Sequence, residues 1–383
     1  MNPRIVVAYN RDFEGAEADP ENKAREDIKD IADNILSILG TNGFQASGVG
    51  VTGDVLAAVA AIRDARPDIV FNLCESIGGD NRFEPLLPLL LDREGIAYTG
   101  SGPLALSLAL HKHKAKDMLR ARGIPTPEAV VVGSVADARA ITLPFPLIVK
   151  PSREDASVGI YSDSVVHDRA ALERQVDTVL SRYRQPALVE RYIDGREIYV
   201  SLFGQPSGPP QVFPFYEIDF SEMPVGRPRI VSFEGKWVED SEEYRGTKPV
   251  RCQGLSPGIE ARIRAIALSA FDAMELRDYA RFDIRLPADG TPYIIDVNPN
   301  CDLSDIAGGF SKAAKAGGLS YDDVILRLVE LALLRRPHVD TIPLSARTPD
   351  VHVRRGRRAE RPLAAAAEGV ATPAPRSRAR VRG

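Results

Sequence analysis

Short apolar runs alternate with helical periods through the first third of the chain. Strand-length runs stand at RIVVAYN (4–10), the GVGV segment (48–51), DIVFNL (68–73) and IAYTGS (96–101). Between them apolar residues recur at helical spacing, from about Asn22, from Asp54, and in a helix ending near Glu94. This order predicts a parallel sheet covered on both faces, because parallel neighbours need crossover connections and those are usually helical. One further helix is predicted from Pro103 to Arg122, stopped by Arg122-Gly123 with Pro125 and Pro127 beyond it.

The rhythm then changes. Strands are predicted at AVVV (129–132), PLIVKPS (146–152), VGIYSD (158–163), ALVERYI (187–193), IYVSLFG (198–204) and VFPFYEIDF (212–220), with a helix over 168–183. A Gly- and charge-rich stretch over 221–257 has no periodicity. Stretches of that length are uncommon unless they are lids or disordered. A helix over 258–275, a hairpin, and closing helices near 304–316 and 321–335 complete a mixed α+β pattern.

The hairpin is RFDIRLPADGTPYIIDVNPN, residues 281–300, with Asp289-Gly290 as a strong turn signal. Symmetric pairing about that dipeptide puts Asp283 opposite Asp296 and Arg281 opposite Asn298. Alternation along the strand turns Asp296 and Asn298 to one face while Ile295 and Val297 enter the core. Like charges directly opposite are destabilising. A hard cation between them reverses that sign, and Asp283, Asp296 and Asn298 form an oxygen set suited to one. The alternative, two solvated carboxylates, stays open at this point.

Composition narrows the setting. The 383 residues suggest two or three domains, and 44% apolar with 27% charged residues is ordinary for a soluble protein. No run of 18 apolar residues is present and MNPRIVVAYN lacks the apolar core of a signal peptide, so a cytoplasmic protein is expected. Cys74, Cys252 and Cys301 are too scattered for a disulfide framework or zinc site. From Ser345 onward ten Arg stand against Asp350, Glu360 and Glu368, a charge of +7, which leaves the body at -11 of the total -4. The basic tail is expected to be disordered and without a specific nucleic-acid partner; the acidic body argues against nucleic acid as substrate.

No GxxxxGK[ST] loop and no HExxH is present. Gly48-Val-Gly-Val-Thr-Gly53 matches GxGxxG but reads as a glycine-rich strand end. Lys150 ends a strand of buried character, where a charge needs a partner. Lys112, Lys114 and Lys116 ride the preceding helix, and Lys236 sits in the long loop beside the single Trp237. With a cation site nearby, these lysines point to a phosphate-rich ligand.

Five segments in order, SGPLALSLALHKHKAKDMLRARGIPTP, FPLIVKPSREDASVGI, ALVERYIDGREIYVSLFG, FEGKW and RFDIRLPADGTPYIIDVNPN, resemble the motifs of the ATP-grasp carboxylate-amine ligases, D-alanine-D-alanine ligase branch. The resemblance covers about residues 98–335. It implies a parallel α/β domain (1–102), a central ATP-grasp subdomain with a phosphate flap (103–194), a C-terminal subdomain with metal site and lid (195–344), and the tail (345–383). It also implies ATP as cosubstrate, one or two Mg²⁺ with Mn²⁺ as an alternative, small carboxylate and amine substrates, and the homodimers common in the family. On that pattern Lys112 and Lys150 clamp phosphates, Lys236 reaches the γ-phosphate, and the flap from Ser152 to Gly159 covers them with Ser157 donating. Glu190, Arg191, Tyr192 and Ile193 receive the adenine and Glu197 the ribose. Asp283, Asp296 and Asn298 hold metal, and Arg281 steadies the substrate carboxylate or the tetrahedral intermediate.

The departures lie at the substrate half. Asp296 replaces the usual Glu, and Asp155-Ala156 replace a Gly and a Ser. The N-terminal substrate motif is not recognisable in YNRDFEGAEADPENK, LCESIG stands for the His-Gly segment, NPNCDLS for the Gly-containing acceptor loop, and Trp237 for another aromatic. A different carboxylate or amine follows as an expectation. A kinase on the same scaffold and a nucleotide-binding module without turnover are the other two readings.

Overall fold

The computed structural model of the chain describes residues 2–11, 28–306 and 308–336. The predicted tail and the start of the helix expected from Asn22 lie outside the described residues. The first sheet holds β1 (Arg4–Asn10), β2 (Gln45–Val51) and β3 (Ile69–Asn72) in the order β2-β1-β3, all parallel. Helices α1 (Ile28–Thr41), α2 (Val55–Ala65) and α3 (Leu86–Glu94) connect and cover them. Asp54 caps α2 by accepting from the Ala57 N–H, and Gly95 ends α3 at φ 69°, a left-handed conformation that glycine adopts without strain. One core joins β1 and β3 to α1 on one face; Val6, Ala8 and Val70 pack with α2 and α3 on the other. The strand predicted at IAYTGS is reduced to a single bridge from Tyr98 to Val70.

The long helix expected over Pro103–Arg122 is broken into α4 (Pro103–Leu110) and α5 (Lys112–Ala121). His111 sits at φ −84°, ψ 75°, outside the helical region, so α5 restarts with Lys112 as its first residue. A four-stranded antiparallel sheet follows in the order β4-β7-β5-β6, from β4 (Ala129–Val132), β5 (Leu147–Pro151), β6 (Val165–Val166) and β7 (Ala187–Arg191). It is backed by α6 (Val135–Arg139) and α7 (Arg169–Tyr183) through Val149, Leu172, Val176 and Val189. No strand forms at VGIYSD, where a turn at Val158 and Gly159 leads into a single 3-10 turn at Ser162–Ser164. Ala156 and Ser157 have φ 55° and 62°, and the Val158 N–H closes on the Asp155 carbonyl at 3.0 Å.

The third sheet carries β8 (Arg196–Phe203), β9 (Gln211–Val212), β10 (Tyr216–Asp219), β11 (Lys248–Arg251), β12 (Tyr279–Leu286) and β13 (Tyr293–Asn298), ordered β11-β10-β8-β12-β13 with β9 on β8. The run VFPFYEIDF thus splits around Pro214, which cannot donate to a ladder. The aperiodic stretch 221–257 contains α8 (Phe233–Trp237), α9 (Glu242–Arg245) and β11. Behind the sheet lies α10 (Pro257–Ala273), begun by Ser256 as cap with Pro257 in its first turn. Closing helices α11 (Gly309–Ala316) and α12 (Tyr321–Leu333) pack on the first sheet's core, where Phe203, Phe213, Tyr279 and Phe310 stack edge to face or tilted.

The hairpin register is as expected at its open end, Arg281 opposite Asn298 and Asp283 opposite Asp296, then shifts by one so that Ile284 faces Ile294. Ile295 is the extra residue of a bulge. In place of entering the core with Val297, it is turned to the cleft with Asp296, and Ile294 takes the buried position.

Candidate active site

A cleft of about 900 Å³ runs between the second and third sheets and reaches the first. Its floor follows from the pairing of β8 with β12, which sets Glu197 opposite Arg285, Tyr199 opposite Asp283 and Ser201 opposite Arg281. Alternate residues share a face, so these side chains form one polar stripe. Arg281 grips Asp283 with a fork, Nε to Oδ1 at 2.7 Å and Nη2 to Oδ2 at 2.9 Å, while its guanidinium lies 4.6 Å from the Tyr199 ring centre. Burial works against the Arg281 charge, yet Asp283 outweighs it and holds the guanidinium firmly protonated. Arg285 pairs with Glu197 at 2.7 Å, both buried, and the Tyr199 hydroxyl donates to Glu197 at 3.2 Å. Burial raises the Glu197 pKa against the pull of Arg285.

The cationic wall begins where α5 restarts. Lys112 and Lys116 are one turn apart and both buried. Lys112 Nζ donates to Asp296 at 2.9 and 3.0 Å and to Asp155 of the flap at 2.9 Å. Lys116 and, from β5, Lys150 each approach one oxygen of Glu190 at 2.8 Å, and Lys116 also donates to Thr126. Glu190 sits on the central strand β7, nearly sealed from solvent. Burial alone would raise its pKa; the two ammonium groups reverse this and hold it below the ordinary value. Asp296 behaves likewise: burial raises it, and Lys112 and Lys150 bring the net shift down.

The roof is a flap fastened to a lid. Ser157 Oγ donates to the Val231 carbonyl at 2.9 Å, Trp237 Nε1 to the Ala156 carbonyl at 2.9 Å, and the Phe233 N–H to the Ile160 carbonyl at 2.7 Å. Ser232 caps α8, which aims Lys236 into the cleft with its ammonium 4.9 Å from the Trp237 ring centre. The Lys236 side chain is open to the cleft on one side; the surrounding protein and then Arg281 lower its pKa.

At the far end, Asn300 donates to Glu84 at 3.0 Å and to the Cys74 carbonyl at 3.3 Å, and accepts from the Tyr279 hydroxyl at 2.7 Å. Burial pushes the Glu84 carboxyl well above the usual range. Glu75, Asp302, Ser304 and Lys312 also line this end.

Lys112, Lys150, Ser157 and Lys236 therefore line one cleft with Glu190, Arg191, Tyr192, Ile193 and Glu197, and with Arg281, Asp283, Asp296 and Asn298. Ser152 and Gly159 do not line it: Ser152 is buried, and at Gly159 a Cβ would lie 2.4 Å from Pro151. Asp155, which stands where the family usually has a Gly, points inward to Lys112. Sequence reasoning counted Lys116 among lysines for a phosphate-rich ligand, whereas the structure turns it onto Glu190; it assigned no role to Arg285, Glu84 or Asn300. Lys116 was signalled by its spacing of four from Lys112, and Arg285 by alternation with Arg281 and Asp283. Nothing local marked Glu84 or Asn300, whose meeting is tertiary.

The donor chemistry fits a magnesium ion. Asp283 and Asp296 face each other in register, both reach the cleft, and the Asn298 amide donates through Nδ2 to the Arg281 carbonyl at 3.3 Å, leaving its oxygen as an acceptor. Among the described residues no group of three His, Cys, Asp or Glu is spaced to hold a metal by itself. A set of two carboxylates and an amide suits a cation that is also held by a bound phosphate. Among the described residues no helix is long and apolar enough to cross a membrane.

A family profile described as D-ala D-ala ligase C-terminus matches residues 119–330. The protein y4sG of Sinorhizobium fredii is 34% identical over 79% of this chain and 87% of its own length. The D-alanine–D-alanine ligase of Chromohalobacter salexigens is 32% identical over 85% of this chain and 93% of its own. In fold, the chain is similar to the crystal structure of D-alanine–D-alanine ligase from Bacillus anthracis complexed with ATP, at TM-score 0.67 and 21% identity, over 88% of this chain and 98% of that one. With the profile spanning more than half its length, the chain belongs to the D-alanine–D-alanine ligase family of ATP-dependent carbon–nitrogen ligases, built on the ATP-grasp fold.

Proposed function

We propose that the protein joins a small carboxylate, an amino acid, to an amine with ATP, through an acylphosphate. The observation that carries this reading is the placement of Lys112, Lys150 and Lys236 around one cleft whose floor bears Arg281, Asp283 and Asp296. Phosphoryl transfer spreads charge over the phosphate oxygens, so positioned cations are most of what a protein supplies. The triphosphate takes up Lys112 and Lys150 under the flap, and Lys236 meets the γ-phosphate from the lid. Asp283, Asp296 and Asn298 would hold Mg²⁺, which when bound adds positive charge beside the phosphates. Arg191, Tyr192 and Ile193 wall the adenine end. Each Glu197 oxygen keeps a lone pair beyond its bonds to Arg285 and Tyr199, so it can still accept from ribose hydroxyls.

The substrate carboxylate oxygen bonds to the γ-phosphorus as the bond to the β–γ bridging oxygen breaks and ADP leaves. The amine nitrogen then bonds to the acyl carbon, inorganic phosphate departs, and the amine loses its proton to water. Arg281, fixed by Asp283, lies where it can stabilise the oxyanion of that addition. The docked flap and lid exclude water that would otherwise take the amine's place.

Purified protein with ATP and Mg²⁺ is to be screened with D- and L-amino acids, dipeptides and hydroxy acids in pairs. ADP and free phosphate are expected only when carboxylate and amine are both present. A stable phosphorylated acceptor with no free phosphate would instead establish a kinase, and tight ATP binding with no ADP formed for any pair would establish a binding module.

A further inference from the structure

Arg285 is only 3% exposed, and its guanidinium joins three parts of the molecule. It pairs with Glu197 of the cleft floor at 2.7 Å, Nη1 donates to the Gly195 carbonyl at 3.0 Å, and Nη2 donates to the Arg229 carbonyl. Gly195 lies in the link between β7 and β8, pressed so closely on β12 that a Cβ there would come 2.3 Å from the Leu286 carbonyl oxygen. Arg229 lies in the segment that leads into α8 and Lys236. The Tyr192 hydroxyl donates to the same Arg229 carbonyl at 3.2 Å, and the guanidinium is stacked between the Tyr192 and Phe220 rings, 5.8 and 5.5 Å from their centres.

A guanidinium has five donors in a fixed plane, and buried donors need acceptors. When the lid is docked, the Arg229 carbonyl fills one of those places and Glu197 is held in a single orientation. If the lid lifts, Arg285 loses that acceptor and the buried pair must rearrange. Glu197 is then a poorer partner for a ligand in the cleft. Linkage is reciprocal: whatever binds Glu197 better with the lid down also draws the lid down.

We propose that Arg285 is a positioning residue that couples nucleotide at Glu197 to docking of the lid segment carrying Lys236. The proposal rests on the nucleotide reading above. Its consequence is that the nucleoside end of ATP controls closure at the phosphate end, so the cleft closes for a nucleotide and not for a bare polyphosphate.

Trp237 is the only tryptophan in the sequence and bonds the flap when the lid is docked, so its emission reports docking. The full-length protein is titrated with Mg·ADP and with Mg·pyrophosphate, following heat by calorimetry and Trp237 emission in parallel. In the unsubstituted protein, emission is expected to change with ADP saturation and not with pyrophosphate. Arg285→Lys keeps a charge beside Glu197 but cannot span both carbonyls; it is expected to bind ADP within a few-fold while losing more than half of the emission change. Arg285→Met, checked for folding by circular dichroism, should lose the change entirely and lower kcat more than it raises KM. Full emission change in Arg285→Lys at ADP saturation overturns the coupling alone. Absence of ADP binding to the unsubstituted protein overturns the nucleotide reading and the coupling with it.

Discussion

Asp283 and Asp296 stand directly opposite each other on β12 and β13, and each is held by a different cation, Arg281 in one case and Lys112 in the other. The like-charge pair is thus neutralised from both sides, and β13 is bulged at the next residue, which turns Ile295 to the cleft beside Asp296.

Asp296→Asn should remove the carboxylate that Lys112 grips and one ligand of the proposed cation. ADP formation is expected to fall by about 10²-fold or more, the scale for loss of one transition-state electrostatic group. Because Lys112 retains Asp155 at 2.9 Å, the fold should survive with little change in melting temperature. Turnover unchanged in a magnesium titration would remove Asp296 from the mechanism.

Glu190 is the counter-charge for two buried lysines. Glu190→Gln leaves Lys116 and Lys150 without a carboxylate in direct contact, and breaking a buried pair in this way costs about 3–5 kcal/mol. Lys116→Met leaves Glu190 paired to Lys150 and should cost less. The double variant should be more stable than Glu190→Gln alone, since one orphaned ammonium has gone with the carboxylate. Denaturant midpoints of the three variants decide the matter; additive losses would show that Lys116 and Glu190 do not interact.

Much of this arrangement was legible in the sequence because it is carried by local rules. The open end of the hairpin follows from a turn dipeptide and period two, and the parallel sheet from alternation of strands and helices. The bulge at Ile295 was not legible, since a one-residue slip leaves the apolar pattern IIDV readable in either register. The break at His111 was hidden because apolar spacing continues through ALSLALHKHKAK; only the backbone conformation shows that Lys112 opens a new helix. That Asp155 turns inward to Lys112 is set by tertiary contact, which no local pattern encodes. Glu84, Asn300 and Cys74 meet across the chain, a contact that no periodicity encodes.

Glu84 offers a pH test with a definite sign. Burial, and then the nearby Asp155 and Glu75 charges, raise its folded pKa well above the ordinary value, against the bond from Asn300. The folded protein therefore binds this proton more tightly than the unfolded chain does. Stability linked to it is present below the unfolded value and is lost as pH rises from there through the folded value. Glu84→Gln is neutral throughout. Its melting temperature should match the parent near pH ~4 and gain on it steadily toward pH ~8. A constant offset across that range would mean that Glu84 ionises normally.

The last prediction concerns Asp155, whose carboxylate reaches from the flap to Lys112 while its side chain remains 46% exposed. A nucleotide must share Lys112 with this anion, and like charges a few ångströms apart repel by about 1 kcal/mol even at the dielectric of water. Asp155→Ser removes the competitor and keeps a hydroxyl donor on the flap. Neighbouring Ala156 and Ser157 already hold the left-handed turn, so the backbone there has no reason to change. ATP affinity measured by calorimetry should tighten roughly fivefold or more, with the gain reduced at high salt because the site opens to solvent. Weaker binding would show that Asp155 supports the nucleotide rather than opposing it, and would make the pairing with Lys112 part of the clamp itself.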